Sequence, residues 1–348
     1  MKNAIETKNL TKVFNKFTAV NSLDLEIPNN TIFGMLGPNG AGKTTTIKML
    51  TCLIQPTSGQ AIVGGYDVQK NPDEVRNLLG MVPQQVSLYK DLTVMENSQL
   101  CADYYGVPLD ERDSRIEDLM EIVDIKYAKD KRVGQLSGGQ KQKASLVASL
   151  VHRPDILFLD EPTIGLDPTT KRTLWDLIRE LNDNGHTIIL CSHDMHEVDM
   201  LCDNVGIINT GNLVAYDTPQ GLKDSLLESN KLEMTEALSQ ISEENEVSTS
   251  TKEDIENLSL KKMSILLNNQ TDDIIDSIKK SSDIKSIEIS HNGRINLRVD
   301  GFDDMAVQNV INDIISAGGI IKSISTEEPS LEDVFIKATS EVNEDDRA

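Results

Sequence analysis

The first chemical signal in the sequence is a glycine-rich stretch between the apolar run Ile32–Leu36 and a segment compatible with a helix. The stretch comprises Gly37, Pro38, Asn39, Gly40, Ala41, Gly42, Lys43 and Thr44, and Thr45 continues into the helical segment. Glycines let the backbone turn tightly, so several N–H groups point at one anion beside the positive end of the helix. Lys43 can reach the β- and γ-phosphates of a nucleotide, and the Thr44 hydroxyl suits Mg²⁺. The spacing therefore predicts a phosphate-binding loop.

A second glycine motif opens another helical segment further along the chain. It reads Leu136, Ser137, Gly138, Gly139 and Gln140, and the helical pattern continues to Val151. Two glycines at a helix start leave bare N–H groups pointing outward, and a serine hydroxyl adds a donor. The motif indicates a second anion-binding surface, with a capped helix of flexible entry as the alternative.

Two carboxylates follow a strongly apolar run. Residues 156–159 are consecutive apolar residues, as in a strand buried on both faces of a parallel sheet, and Asp160 and Glu161 come next. The carboxyl ends of such strands are where α/β sheets hold their ligands. Together with the phosphate-binding loop, the pair supplies a metal-binding carboxylate and a candidate general base.

Four further side chains gain a role only from their position among these motifs. Gln84 follows a predicted strand that ends at Pro83, and His193 follows a predicted strand over 187–191. Singly, Gln84 is a loop residue and His193 a structural histidine. Asp167 lies in a Gly-Leu-Asp-Pro turn. Phe14 could stack on an adenine ring or belong to the core.

Composition limits the class of protein. The chain has 348 residues with a net charge of −22, and no apolar run approaches the length of a membrane span, about 18 residues. The beginning of the chain also has no hydrophobic signal region, so we expect a cytoplasmic protein. Nucleic-acid backbones are bound by Lys and Arg, so the acidic balance disfavours that partner.

The pattern of elements predicts two domains. The α/β nucleotide-binding domain covers residues 1–222, with a helical subdomain at about 85–150, and 223–260 is a linker or loose helical segment. Residues 261–348 form a smaller, acidic accessory domain. Its predicted elements have the ferredoxin-like α+β order βαββαβ: strand 263–267, a helix to Lys280, strands 284–289 and 295–299, helix 304–317 and strand 320–325.

The motifs between the phosphate-binding loop and His193, in their order along the chain, resemble those of the nucleotide-binding subunit of an ABC transporter. This resemblance covers roughly residues 1–222. The run from Glu328 to Phe335 resembles the C-terminal extension of the daunorubicin-resistance type of drug-exporter ATPase. The resemblance implies a P-loop NTPase fold, ATP and Mg²⁺ as cofactors, and ATP hydrolysis. It also implies a homodimer with two composite ATP sites, and a separate integral-membrane permease that holds the subunit at the inner face of the membrane. The exported substrate would be drug-like, a lipid or a peptide.

Residue roles follow from the same resemblance. Phe14 would stack on adenine, Glu161 would be the general base, and His193 would hold the γ-phosphate. Thr44, Gln84 and Asp160 would bind Mg²⁺, and residues 37–45 would bind the phosphates. The ATP of the opposite subunit would be contacted by Ser137, Gly138, Gly139 and Gln140. Asp167 would make a contact across the dimer seam. Gln84 would also link the metal and water to the permease.

Two departures and two alternatives accompany this interpretation. Lys141 and Lys143 stand where many members have at least one arginine, and Ile164 stands where some have serine. Neither change is expected to abolish turnover. A soluble ABC-type ATPase acting on ribosomes or DNA is disfavoured by the single set of motifs and the acidic composition. A purely regulatory domain would have no ATPase activity.

Overall fold

The computed structural model describes residues 3–229, 232, 260–269, 274–275, 284–290, 294–300, 305–327 and 329–340. Most of the predicted linker 223–260, and most of the helix predicted to end at Lys280, lie outside these residues. The described residues fall into two compact units, one of 3–222 with 335–340 and one of the residues between 223 and 334.

The first unit begins with an antiparallel sheet, as its alternating pattern predicts. Along β2, Leu23, Leu25 and Ile27 point into the core while the residues between them are exposed. The strand order is β2-β1-β4-β5, and the strands are β1 (Asn3–Phe14), β2 (Phe17–Pro28), β4 (Ser58–Val63) and β5 (Tyr66–Asp67).

A second, largely parallel sheet forms the centre of this unit. Its order is β10-β9-β3-β8-β7-β6, and only the β9–β10 pair is antiparallel. All residues of β3 and β8 are buried, which explains why nearly all of them are apolar. The strands are β3 (Ile32–Leu36), β6 (Leu79–Val82), β7 (Ile156–Asp160), β8 (Thr187–Cys191), β9 (Asn204–Asn209) and β10 (Asn212–Asp217).

This sheet brings the predicted chemistry to one edge. The phosphate-binding loop, Gln84, Asp160 and His193 all follow the carboxyl ends of its parallel strands. Since β3, β8, β7 and β6 are consecutive neighbours, four loops far apart in the chain meet there.

Seven α-helices of this unit lie between residues 43 and 201. Three of them, α3, α4 and α5, pack against one another, and α4 buries Ile116 and Met120 as its periodicity predicts. The helices are α1 (Lys43–Leu50), α2 (Pro72–Leu78), α3 (Val94–Tyr104), α4 (Leu109–Ile122), α5 (Gly138–Leu150), α6 (Pro168–Asp183) and α7 (Met195–Leu201).

The second unit contains a four-stranded antiparallel sheet with order β12-β13-β11-β14. Its first and third strands lie together in the centre, which is the arrangement that the βαββαβ order requires. The elements are β11 (Leu260–Leu267), β12 (Ile284–Ile289), β13 (Arg294–Asp300), α8 (Ala306–Ser316) and β14 (Ile321–Glu327). Met263, Ile265, Leu297, Val310 and Ile314 are among its core residues.

The last helix, α9 (Leu331–Ser340), begins where Pro329 and Ser330 predict a start. The Ser330 hydroxyl accepts the backbone N–H of Asp333 at 3.2 Å, and the Asp333 carboxylate accepts the N–H of Ser330 at 2.8 Å. From Phe335 onward the helix belongs to the first unit, where the Asn209 amide donates to the carbonyl of Thr339 at 3.2 Å. This placement differs from the single domain 261–348 that the sequence suggested.

Candidate nucleotide-binding and hydrolysis site

The phosphate-binding loop has a backbone that only glycine fits at two positions. Gly42 has a φ of 109°, and a Cβ there would lie 2.5 Å from the carbonyl oxygen of Ala19. A Cβ on Gly37 would lie 2.3 Å from the carbonyl oxygen of Ile208. Because Gly42 caps α1 without a side chain, the first N–H groups of that helix have no side-chain cap and can receive an anion.

Lys43 lies folded against its own loop. Its ammonium donates to the carbonyl oxygens of Gly37 at 2.5 Å and Pro38 at 3.2 Å. Thr44 is exposed and Thr45 half-buried at the start of α1. The positive charge is therefore held at the centre of the loop, among the groups that the sequence assigns to phosphate.

Asp160 is the last residue of β7 and is half-buried. Burial raises the pKa of this carboxyl above its ordinary value, the charge of Glu161 raises it further, and Lys43 and Lys48 oppose the shift. A nearby cation would relieve this unfavourable negative charge. Thr44, Gln84 and Asp160 are also oxygen ligands of the kind that Mg²⁺ prefers, so the residues present fit that ion.

Glu161 has an unusual backbone conformation. Its φ is 52°, in the left-handed region that a side chain with a Cβ rarely adopts, and such a residue costs of order 1–3 kcal/mol. Its N–H donates to the carbonyl oxygen of Cys191 on the neighbouring strand at 2.8 Å. The surrounding structure therefore holds Glu161 in a turn that the chain alone disfavours.

Glu161 and His193 form a direct pair, which the sequence did not predict as a contact. His193 Nδ1 lies 2.5 Å from Glu161 Oε2, so an Nδ1–H donates to the carboxylate. The Glu161 side chain is 15% exposed and that of His193 is 65% exposed. The pairing of β7 with β8, in which Asp160 is opposite Cys191, brings the two residues together.

Gln84 and Phe14 are both exposed. Gln84 lies two residues beyond the end of β6, which pairs with β7. Phe14 is 45% exposed at the end of β1, with the Lys12 ammonium 5.1 Å from its ring centre. Phe14 is therefore an exposed residue and does not belong to the core.

The second glycine motif forms a capped helix start. The Ser137 hydroxyl accepts the N–H of Gln140 at 3.4 Å, and the Gln140 side chain accepts the N–H of Ser137 at 2.9 Å. A concave surface of about 380 Å³ lies in front of it, and residues 37–45 of the phosphate-binding loop are not part of its lining. The lining residues are Tyr127, Ser137, Gly138, Gly139, Gln140, Lys143, Gly165, Leu166, Asp167 and Thr170.

Asp167 has a local role that the sequence missed. Its carboxylate accepts the N–H groups of Thr169 and Thr170 at 3.1 Å and the Thr170 hydroxyl at 2.6 Å, so it caps α6. These hydrogen bonds, that of the Thr170 hydroxyl foremost, lower the pKa of Asp167. Its predicted contact across a dimer seam stays a prediction.

The sequence alone indicates no role for Tyr127 beyond its place in the predicted helical subdomain. Its ring is 61% exposed, and its hydroxyl lies 3.2 Å from Nε2 of Gln140, which donates to it. The signal that could have identified it is a polar aromatic residue in the segment that precedes the second glycine motif.

Comparisons with known proteins identify the class. The ABC transporter family model matches residues 20–164, and that of the ATP-binding protein DrrA1-3-like C-terminal domain matches 258–339. The daunorubicin/doxorubicin resistance ATP-binding protein DrrA of Streptomyces peucetius is 40% identical over 223 residues, 64% of this chain and 68% of that protein. The linearmycin resistance ATP-binding protein LnrL of Bacillus subtilis (strain 168) is 38% identical over 63% of this chain and 70% of that protein.

A solved structure agrees with this assignment. The dimeric bacterial ABC transporter cassette MJ0796 is 26% identical, covers 62% of this chain and 98% of its own, and has a TM-score of 0.57. The chain therefore belongs to the ATP-binding proteins of ABC transporters and is an ATPase with a P-loop NTPase fold. An ATPase that acts on ribosomes or DNA is not favoured. Within the part of the chain that the structure covers, no helix combines the length and apolarity needed to cross a membrane.

The raised pKa of Asp160 gives a prediction about stability. The raised pKa means that the charged form of Asp160 is less favourable in the folded protein than in the unfolded chain. As pH rises above the ordinary carboxyl pKa, about 3.9, ionisation of Asp160 therefore lowers the free energy of unfolding. We expect Asp160→Asn to be more stable than wild type at neutral pH without nucleotide, with the difference shrinking as pH falls. Urea unfolding at several pH values measures it.

The exposed Asp91 provides the control, because Asp91→Asn removes the same charge away from the site. If Asp160→Asn is no more stable than Asp91→Asn at neutral pH, burial does not penalise the Asp160 charge.

Proposed function

We propose that this chain binds ATP between two copies of itself, hydrolyses it, and powers a separate membrane permease that exports a drug-like, lipid or peptide substrate. The observation that carries the proposal is the Glu161–His193 pair, which lies at the sheet edge that also receives the phosphate-binding loop. The names of the two relatives, both resistance proteins, support export.

Binding begins at the loop of residues 37–45. The phosphates of ATP would receive the N–H groups at the start of α1, and the Lys43 ammonium would exchange the carbonyls of Gly37 and Pro38 for phosphate oxygens. The exposed ring of Phe14 would stack on adenine. Gly42 fixes the approach, because any side chain there would collide with the carbonyl of Ala19.

Asp160, Thr44 and Gln84 would hold Mg²⁺. When bound, the ion would neutralise charge that develops on the phosphates. The half-buried Asp160 carboxylate, whose pKa is raised by burial and by Glu161, gains most from such a partner.

Hydrolysis is assigned to Glu161 and His193. One carboxylate oxygen of Glu161 is held by His193 Nδ1–H, which leaves the other free to accept a proton from the attacking water. The water oxygen then bonds to the γ-phosphorus as the bond to the leaving ADP oxygen breaks. The exposed edge of the His193 ring contacts the γ-phosphoryl group and stabilises its charge.

The second anion-binding surface completes the site in the opposite subunit. Ser137, Gly138, Gly139 and Gln140 line a concave surface that excludes the phosphate-binding loop of the same chain. A two-fold dimer in which each surface faces the loop of the partner makes two identical composite sites. Such a dimer would lie at the inner face of the cell membrane, held there by the permease.

Glu161→Gln tests the general base. The amide keeps the size of the side chain and can still form hydrogen bonds in the site, but it cannot accept the proton from water. We expect turnover to fall by about 100-fold or more, with ATP affinity kept and an ATP-bound dimer accumulating. Phosphate release and size-exclusion chromatography with ATP measure the two effects. Full hydrolysis by this variant would remove Glu161 from its role.

Mixed dimers test the composite site. Lys43→Ala damages the phosphate-binding loop and Ser137→Ala the opposing surface, so each homodimer has two damaged sites. A mixed dimer has one intact site, and an equimolar mixture should recover about a quarter of the wild-type rate because half of its dimers are mixed. If each site lies within one chain, mixing restores nothing.

Copurification tests the coupling to a permease. We expect the chain, extracted from membranes in mild detergent, to bring with it a hydrophobic polypeptide with several predicted membrane spans, and Lys43→Ala to retain this partner. Tight, salt-sensitive binding to RNA or DNA, with no membrane polypeptide, would instead support the alternative of a ribosome- or DNA-acting ATPase.

A further inference from the structure

A carboxylate near the hydrolysis site is fully buried and has no assigned role. Glu197, in the first turn of α7, is 0% exposed. Its Oε2 accepts hydrogen bonds from the hydroxyls of Ser192 at 2.6 Å and Thr163 at 3.1 Å, and its Oε1 accepts the indole N–H of Trp175 at 2.8 Å. A buried carboxylate is costly unless hydrogen bonds compensate, so three donors at one group indicate a specific arrangement.

The three donors come from segments that the sheet brings together. Ser192 directly precedes His193, and Thr163 lies two residues beyond Glu161. Trp175 lies on α6, which is a packed helix rather than a loop. Glu197 therefore joins the loop after β7 to the loop after β8, and it anchors both to a helix.

The hydrogen-bond pattern suits an ionised carboxylate, which can accept from all three donors. An indole N–H can only donate, and Ser192 Oγ already accepts the N–H of Asp194 at 3.1 Å, which directs its own hydrogen toward Glu197. Burial raises the pKa of Glu197, and the hydrogen bonds from Ser192, Trp175 and Thr163 oppose that shift.

The same network holds the backbone on the other side of His193. Asp194 accepts the N–H of Glu197 at 3.3 Å, and its carboxylate pairs with the Lys171 ammonium of α6 at 3.0 Å. Both neighbours of His193 are thus fixed, while its imidazole, paired with Glu161 through Nδ1, remains 65% exposed. A loop held this way keeps His193 at a constant distance from Glu161.

We propose that Glu197 is a positioning residue for hydrolysis: through Ser192 and Thr163 it holds His193 and Glu161 in register with each other. The inference rests on the proposed function of that pair, and it adds a group that touches neither nucleotide nor water. Packing alone would not need a carboxylate, since an apolar side chain of similar volume is often at least as stable in a buried position.

Two variants of similar size separate positioning from packing. Glu197→Leu fills the volume without an acceptor, whereas Glu197→Gln keeps one acceptor oxygen. We expect Glu197→Leu to lower kcat by roughly 10- to 100-fold, the range for a misplacement of about 1 Å, with the Kd for ATP unchanged. Glu197→Gln should lie between Glu197→Leu and wild type. Phosphate release, equilibrium ATP binding and thermal unfolding are measured on the full chain.

A milder variant covers the case in which Glu197→Leu does not fold. Ser192→Ala removes the donor next to His193, together with the acceptor of the Asp194 N–H, and leaves the hydrogen bonds of Thr163 and Trp175 in place. It should lower kcat in the same direction, again without changing ATP affinity. Glu180→Gln, at an exposed position of α6, is the matched control and should behave as wild type.

Two results would overturn the positioning role. One is wild-type turnover in Glu197→Leu or in folded Ser192→Ala. The other is a fall in kcat in Glu197→Leu that is accompanied by an equal loss of ATP affinity and of thermal stability, with no recovery in Glu197→Gln. That result would indicate that Glu197 contributes to packing only. Absence of hydrolysis in the wild-type chain would instead contradict the proposed function itself.

Discussion

The pairing of β7 with β8 is the constraint on which the proposed hydrolysis site depends. It sets Asp160 opposite Cys191, and the N–H of Glu161 then donates to the Cys191 carbonyl at 2.8 Å. That hydrogen bond holds Glu161 in the left-handed conformation and turns its carboxylate toward His193, the second residue after β8. A one-residue slip would reverse the side of the sheet that each strand-end residue faces.

Unfavourable local features are concentrated at this edge of the sheet. Glu161 has a strained backbone, Asp160 carries a penalised charge, and Glu197 is a buried carboxylate. Each would lower the free energy of unfolding by itself, and each is held by neighbours from other segments. Such features persist where they contribute to function, since a protein without them would have a higher free energy of unfolding. The apolar strands β3, β7 and β8 provide the burial that offsets them.

The sequence predicted the parts whose causes are local. Glycines at fixed spacing predict the phosphate-binding loop, and unbroken apolar runs predict buried parallel strands. It did not predict the contact between Glu161 and His193, which are 32 residues apart, or the hydrogen bond from Asn209 to Thr339, which spans 130. These contacts depend on which strands and helices become neighbours, and no pattern within one segment contains that information.

The two predicted anion-binding surfaces differ in whether a side chain caps the start of their helix, and this difference favours a site made by two chains. The loop before α1 has no side-chain cap, so its N–H groups need a ligand, and Lys43 meanwhile satisfies its charge with its own loop carbonyls. The start of α5 is already capped by Ser137 and Gln140, so it is stable without a ligand. In the proposed function, the preformed surface at the start of α5 would therefore receive a ligand that the loop of residues 37–45 already holds. In the proposed dimer, ATP would therefore join the two copies, because a bound triphosphate would give both surfaces a shared partner.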